Sequence, residues 1–181
     1  MDIQRLGDLD LLLRCMEDEL VAKAAGEIPA GDMFAYHYQK MFSELWVGGW
    51  YEILRAMRQR AKEALDRGDQ TSGLATSDDF NSLLSDFERL RIPLEKYEIA
   101  KDKKLKRPLP MKRYPPNNDE TDHVVYDSDD PQRSHHMLSG PSGRGSLTWL
   151  ALDHSSDQEY WVERRGLSER LLALANHPAL N

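Results

Sequence analysis

The feature that most constrains the fold of this 181-residue chain is the apolar segment from Met33 to Arg67. Its large side chains recur at helical spacing and cover more than one face, which is typical of a helix at the centre of a bundle. An unbroken helix of this length would extend about 50 Å, which is long for a globular domain. We expect Gly48 and Gly49 either to kink the helix or to let a partner backbone approach closely.

Two further helices are predicted, one on each side of this segment. The stretch Ile3 to Ala25 carries apolar residues at steps of three and four, and Gly26 ends it. Another helix begins near Ser77, which suits an N-cap, and its apolar residues follow the same spacing. Pro93 falls inside that pattern, so we expect a kink or a break around Arg91.

Helical periodicity stops after Lys106, where the composition shifts to Pro, Gly, Ser, Asn and Asp. We expect an extended surface segment with two strands, His123–Tyr126 and Ser146–Asp153, paired as an antiparallel hairpin. The pattern from Ser156 to Glu159 matches a capping box and predicts a final helix. A strand over Glu159–Arg165 followed by a short helix is the alternative.

The predicted fold class is therefore mainly α with minor β. We expect a four- to five-helix bundle with a small antiparallel β-hairpin before the C-terminal helix. Residues 1–106 would form the helical core, 107–154 the extended segment and hairpin, and 155–181 a helix that packs back on the bundle, as one domain overall.

Composition excludes several classes of protein. The single cysteine cannot form a disulfide within the chain. No aliphatic run approaches the roughly 20 residues that a bilayer core needs, and the first residues do not match a signal peptide. We therefore expect a cytoplasmic protein.

A basic cluster lies between residues 101 and 113. Lysines and arginines at this density could neutralise phosphates, which indicates a candidate nucleic-acid site. An acidic cluster follows at once, and the formal net charge of −7 opposes long-range attraction to nucleic acid. Arg144, in the Gly-rich stretch Ser139–Gly145, is a further anion-binding candidate, although a mobile hairpin loop is the simpler interpretation of that stretch. The residues of the basic cluster are Lys101, Lys103, Lys104, Lys106, Arg107, Lys112 and Arg113.

Histidines and aspartates gather between residues 119 and 154, and together these side chains suit a divalent metal. Their spacing matches no His-Glu-x-x-His helix and no EF-hand loop. The candidate ligands of a metal-dependent enzyme are Asp122, His123, His135 and His136, but no cofactor is predicted.

A polar group near the end of the third helix supplies the candidate catalytic residues Arg91, Glu95, Tyr97 and Glu98. A bundle with a long apolar second helix is similar in general shape to HEPN domains. Their ribonuclease members carry Arg, four to six residues and then His, whereas here Arg91 is followed after five residues by Tyr97. The resemblance therefore does not imply ribonuclease chemistry, and enzymatic function has no support from the sequence.

The large aromatic residues exceed what one narrow helical core stripe needs, so we expect some of them near the surface. Exposed aromatic patches mark interfaces. The sequence thus predicts a non-catalytic interaction or assembly protein, with a protein partner or a second copy of itself, and nucleic-acid binding as the alternative. The predicted interface residues are Trp46, Trp50, Tyr51, Trp149 and Trp161.

Overall fold

The computed structural model describes residues 2–26, 33–69, 73–105, 107–112, 123–153, 156 and 158–176. These ranges hold four α-helices, two short 3₁₀ helices and two small antiparallel sheets, so the predicted mainly α class with minor β is confirmed. Within the same ranges, none of the helices combines the length and the apolar character needed to span a bilayer.

The first two helices match their predicted bounds to within one residue. Helix α1 covers Ile3–Ala24, and α2 covers Met33–Asp66. Asp2 caps α1, because its Oδ1 accepts a hydrogen bond from the backbone N–H of Arg5 at 2.9 Å. Gly26 follows the helix with φ of 77°, a left-handed conformation that suits glycine.

Helix α2 continues across Gly48 and Gly49 as one element of 34 residues, about 51 Å long. A Cβ atom at position 48 would lie 3.2 Å from Oε1 of Glu95. Among the described residues, Gly48 therefore leaves room for a carboxylate of the third helix. The expected approach of a partner backbone is corrected to the approach of a side chain.

Helix α3 covers Asp78–Lys96, and Ser77 caps it as predicted by accepting the backbone N–H of Phe80 at 3.2 Å. The expected break around Arg91 is wrong. Pro93 lies in the last turn, where it removes one backbone donor but is itself buried, and the helix continues to Lys96. Tyr97 then ends α3 in the left-handed conformation, with φ of 55°.

The strands pair differently from the prediction. Strand β1, Leu109–Lys112, pairs with β2, His123–Tyr126. The second sheet has the order β3-β4-β5 and contains Ser139–Pro141, Leu147–Asp153 and Gln158–Glu163. The predicted hairpin between residues 123–126 and 146–153 is therefore wrong, because each of those strands has a nearer antiparallel partner along the chain.

The capping-box prediction at Ser156 is also wrong, and its alternative is confirmed in outline. Residues Gln158–Glu163 pair with β4 as a strand, and α4 follows at Arg164–Ala175. Side chains in β5 alternate, with Val162 buried and Trp161 57% exposed. Pairing with a central strand outweighs the local capping pattern.

One apolar cluster unites the helices with the three-stranded sheet. Alternate residues of β4 are buried and face the helices. They join side chains from α1, α2, α3 and α4 in the same cluster, and a smaller cluster of Ile99, Leu109 and Tyr126 lies beneath the two-stranded sheet. Members of the main cluster include Leu6, Leu13, Trp46, Leu54, Phe87, Leu147, Trp149 and Leu167.

Candidate interaction groove

Most of the aromatic residues predicted for an interface belong to the core. Trp46 and Trp149 are fully buried and Tyr51 is 9% exposed, so none of the three presents an aromatic surface to a partner. Trp46 packs against Phe87, with ring centroids 5.6 Å apart. The interface prediction is corrected for these three residues, because Trp46 and Tyr51 contact side chains of α3 and Trp149 is a buried residue of β4 in the main apolar cluster.

Trp161 and Trp50 differ from that group. Trp161 is 57% exposed on β5, and Trp50 is half-buried beside Trp46. A role for either in binding stays a prediction. The larger apolar surface lies elsewhere, along α2.

A cleft of about 1200 Å³ follows one face of α2, and we name it the α2 groove. Its α2 residues, from Met41 to Arg60, recur at helical spacing, so the groove extends for roughly 28 Å along the helix. The N-terminus of α1 and the C-terminal turn of α3 supply the rest. The lining is Asp2, Ile3, Gln4, Met41, Glu44, Leu45, Gly48, Gly49, Glu52, Ile53, Ala56, Met57, Arg60, Leu94 and Glu95.

Apolar side chains in the groove are unusually open to solvent. Ile3 is 59% exposed, Leu45 52% and Met41 45%. Gly48 and Gly49 carry no side chain, which lowers the groove surface between Leu45 and the next turn. A contiguous exposed apolar patch in a concave site indicates a binding surface more strongly than scattered apolar residues do.

Glu44 is the most unusual charged residue of the groove. Burial raises its pKa, and Lys40, one turn earlier, opposes that rise only in part. Glu44 makes no ion pair with any residue that the structure describes. A half-buried carboxylate in this condition is a ready acceptor for a donor or a cation from outside the chain.

The candidate catalytic residues separate into two groups. Arg91 pairs with Glu95 at 2.7 Å and with Glu52 at 3.4 Å, and its guanidinium lies 5.2 Å from the centroid of the Tyr51 ring. Of this group, Glu52 and Glu95 line the α2 groove, whereas Arg91 and Tyr51 do not. The group contains no buried pair of carboxylates that could share acid and base roles.

Tyr97 and Glu98 lie with a different set of residues. The Tyr97 ring packs against His136, and its carbonyl accepts the backbone N–H of His135 at 2.7 Å. Glu98 pairs with Arg133 at 2.9 Å. Four residues proposed as one catalytic group are therefore not brought together.

Arg133 extends this second set towards the two-stranded sheet. Its Nε donates to Asp102 at 2.6 Å, and the Tyr126 hydroxyl donates to the same carboxylate at 2.9 Å. Desolvation by burial raises the pKa of Tyr126, and its bond to Asp102 adds to the rise. The arrangement holds the small sheet to the end of α3.

The structure describes only part of the predicted metal site. His135 is buried and His136 is exposed, although they are neighbours in the chain. Asp122 and the side chain of His123 lie outside the described residues. Within the part of the chain that is described, no group of three or more His, Cys, Asp or Glu side chains could hold a metal ion.

The basic cluster is partly neutralised by its neighbours. Lys101 pairs with Glu88, and Lys103 pairs with Asp129 at 3.4 Å and donates to the carbonyl of Ser128. Each such contact reduces the charge available to a phosphate. Of the remaining members, Lys104 is exposed and Arg107 lies in the described range 107–112, whereas Lys106, Arg113 and the Lys112 side chain lie outside what the structure describes. Nucleic-acid binding by this cluster stays a prediction.

Arg144 is held by two carboxylates rather than left open for an anion. It donates to Glu163 at 2.6 Å and to Glu169 at 2.8 Å. The loop around it is the turn of the β3–β4 hairpin, where Gly145 lies against α1 and its carbonyl accepts Gln39 Nε2 at 2.7 Å. The predicted hairpin loop is therefore confirmed, and its mobility stays a prediction.

A buried ionic network was not predicted from the sequence. Arg164 and Glu17 are both fully buried, and Ser146 Oγ also donates to Glu17, at 2.6 Å. Asp10 contacts Arg164 at the edge of this network. Burial raises the pKa of Asp10, but hydrogen bonds from Arg14 and Ser168 outweigh that effect and leave the pKa lowered. The network joins α1 to α4 and to the start of β4, and its burial indicates a structural role.

A second unpredicted network joins α3 to β5 and α4. The Tyr160 hydroxyl donates to Asp86 at 2.8 Å and accepts from Arg89 at 3.0 Å. Burial and the bond to Asp86 together raise the pKa of Tyr160 to about 12. Arg170, which lies on α4, also pairs with Asp86.

Comparison with protein-family models, with curated proteins and with solved structures finds no match for this chain.

Proposed function

We propose that this protein is a non-catalytic interaction protein that binds another polypeptide in the α2 groove. The observation that carries the proposal is the exposure of Ile3, Met41 and Leu45 in one concave surface of about 1200 Å³. Covering these side chains would remove apolar area from water, which is the main favourable term in most protein association. A cytoplasmic setting is part of the proposal and rests on cysteine usage alone.

The shape of the groove supports a polypeptide rather than a small molecule. It extends along five turns of α2, whereas drug-sized ligands are bound in concave sites of about 300–1,000 Å³ that bury most of the ligand surface. Its floor is formed by side chains and by Gly48 and Gly49, so a partner can insert apolar side chains between the turns of α2.

Comparative affinity enrichment tests this function. The full-length protein, the double variant Met41→Gln/Leu45→Gln and the control Leu12→Gln/Leu65→Gln would each be tagged and recovered from the same extract. Leu12 and Leu65 are 47% and 52% exposed but do not line the groove, so the control matches the change in polarity. We expect specific polypeptides to be recovered with the wild type and the control but lost with the groove variant.

Equal recovery by all three proteins would refute the proposal, provided that circular dichroism shows the same helix content. Hydrogen exchange along α2 then supplies a second readout. Partner binding should slow exchange between residues 41 and 60, whereas a partner bound at Trp161 would protect β5 instead.

A further inference from the structure

The charges and shape of the α2 groove define the chemistry of its occupant. We infer that the groove binds an amphipathic helix of a partner protein that places a basic side chain against Glu44 and Glu95. This inference rests on the proposed function, and it adds the class of partner and the contact that selects it.

The groove favours a helix over an extended strand. Its walls come from α1, α2 and α3, whose backbone groups are bonded within each helix, so no free strand edge is present to accept an added strand there. The floor is one face of a straight run of helix. A second helix can lay its own apolar ridge into such a surface, where Gly49 adds no side chain, whereas the space over Gly48 is taken by the Glu95 carboxylate.

Charge is distributed unevenly along the groove. Glu44 lies towards its beginning on α2, Glu52 lies just past its midpoint, Glu95 lies over Gly48, and Arg60 lies at its far end. Glu95 and Glu52 share Arg91 as an ion-pair partner, and Glu52 also pairs with Arg55. Glu44 makes no ion pair with a described residue, and Lys40, one turn earlier on α2, offsets only part of its charge. The end near Gly48 therefore retains negative charge for a partner cation.

The C-terminal end of α3 reinforces this distribution of charge. Leu94 and Glu95 belong to the C-terminal turn of α3, where the helix dipole presents partial negative charge. Arg60, the one arginine of the lining, marks the other end of the groove on α2, and the carboxylate of Asp2 is paired with Arg5 at 3.7 Å. Positive charge on the partner is thus favoured near Glu44 and not near Arg60.

A second copy of the chain fits less well than a basic partner. The groove lining contains four carboxylates, from Asp2, Glu44, Glu52 and Glu95, but only one arginine, Arg60, so two identical grooves facing each other would enclose more negative than positive charge, which is unfavourable in a desolvated interface. The formal net charge of −7 on each copy adds to this repulsion. Self-association through the groove is therefore an outcome that counts against the inference.

Fluorescence anisotropy with synthetic peptides tests the partner class. The probe is an 18-residue helix with leucines at i, i+3, i+4 and i+7 and lysines elsewhere. One matched peptide replaces every lysine with glutamate, and another scrambles the lysine peptide so that no apolar face forms. The inference predicts saturable one-to-one binding of the lysine helix alone.

Charge reversal at Glu44 distinguishes a specific contact from general attraction to an acidic protein. We expect Glu44→Gln to weaken binding of the lysine helix about threefold to fivefold and Glu44→Lys to weaken it further. The matched control, Glu159→Gln, removes an exposed carboxylate outside the groove and should leave the affinity unchanged. Thermal unfolding of each variant confirms that the fold is retained.

Each remaining outcome overturns the inference in a recognisable way. Equal loss of affinity in Glu44→Gln and Glu159→Gln would mean nonspecific charge attraction. Equal binding of the lysine and glutamate helices would keep the groove but reject a basic partner. Failure of every peptide, together with groove-dependent recovery in the enrichment experiment, would reject this class of helix while the proposed function stands. Concentration-dependent dimers abolished by Met41→Gln/Leu45→Gln would identify a second copy as the occupant.

Discussion

Arg164 donates two hydrogen bonds to Glu17, from Nε to Oε1 at 2.6 Å and from Nη2 to Oε2 at 2.9 Å. Both side chains are fully buried, and the Arg164 guanidinium also lies 5.3 Å from the centroid of the Trp46 ring. The pair therefore joins α1 and α4 at the centre of the core. Removing water from two charges is costly, so the pair stabilises the fold only while both partners are present.

Removing one partner of this pair should destabilise the protein strongly. We expect Arg164→Met to lower the free energy of unfolding by about 3–5 kcal/mol, because it leaves the Glu17 carboxylate buried with too few donors. Urea denaturation at pH 7 measures the change. The double variant Glu17→Met/Arg164→Met should recover most of the loss, and a double variant as unstable as the single one would contradict this account.

Replacing Gly145 even by alanine should destabilise the fold. Its φ is 71°, and an added Cβ would lie 2.2 Å from the carbonyl oxygen of Glu17, which cannot move without disturbing α1. We expect Gly145→Ala to cost about 1–3 kcal/mol. Gly143 in the same turn is the control, since a Cβ there would have no described atom within 4 Å. Thermal unfolding of both variants should separate them clearly, and equal stability would refute the predicted clash.

His135 should make stability depend on pH in mildly acidic solution. Burial lowers its pKa from 6.5 to about 4, and the nearby His136 adds to the effect. The unfolded chain then binds a proton more readily than the folded one. The stability that neutral His135 contributes to the fold is fully present above about pH 6.5. It is lost as the pH falls towards 4, which lowers the free energy of unfolding by roughly 3 kcal/mol in total.

Urea midpoints between pH 7 and pH 4 test this effect in the wild type and in His135→Gln. The variant should show a shallower loss of stability with falling pH. His37→Gln, which changes an exposed histidine of α2, should keep the wild-type dependence. Parallel curves for wild type and His135→Gln would show that other groups control the acid response.

Alanine substitution of two tryptophans, one in the core and one on the surface, should affect stability to very different degrees. Trp46→Ala should cost about 3–5 kcal/mol, because it leaves a cavity beside Phe87. Trp161→Ala should change stability by less than about 0.5 kcal/mol, since that side chain is 57% exposed. Native mass spectrometry of Trp161→Ala tests the remaining aromatic interface prediction, because a loss of self-association would support it.

The helices could be predicted from the sequence because their signals are local. Capping by Ser77 and the apolar spacing along α3 depend only on residues within a few positions of each other. Local signals do not set the choice of strand partner: the pairing of Tyr126 with Leu109 was missed, and the strand at Gln158–Glu163 was indicated only as the alternative to a helix. Pro93 was overestimated for the same reason, because tertiary packing outweighs one lost donor.

The proposed groove and the ionic network were predictable to different degrees. The apolar excess of α2 predicted a helix at the centre of the bundle, and the interface was predicted from the aromatic residues, so nothing in the sequence singled out Met41 and Leu45. Glu17 lies one turn after Leu13 on the buried stripe of α1, and this misplaced charge was the one available signal for the ionic network. Its partner, 147 residues away, could be identified only from the fold.

The ties from Glu17 to Ser146 and Arg164 also affect how the chain is made. They span 129 and 147 residues, so α1 leaves the ribosome long before its partners have been synthesised. Until then the Glu17 carboxylate must stay hydrated, and the face of α1 that carries it cannot be buried. Closing such long loops slows folding. The Glu17 face of α1 is thus closed only after β4 and α4 have been made, although α1 itself is synthesised before both.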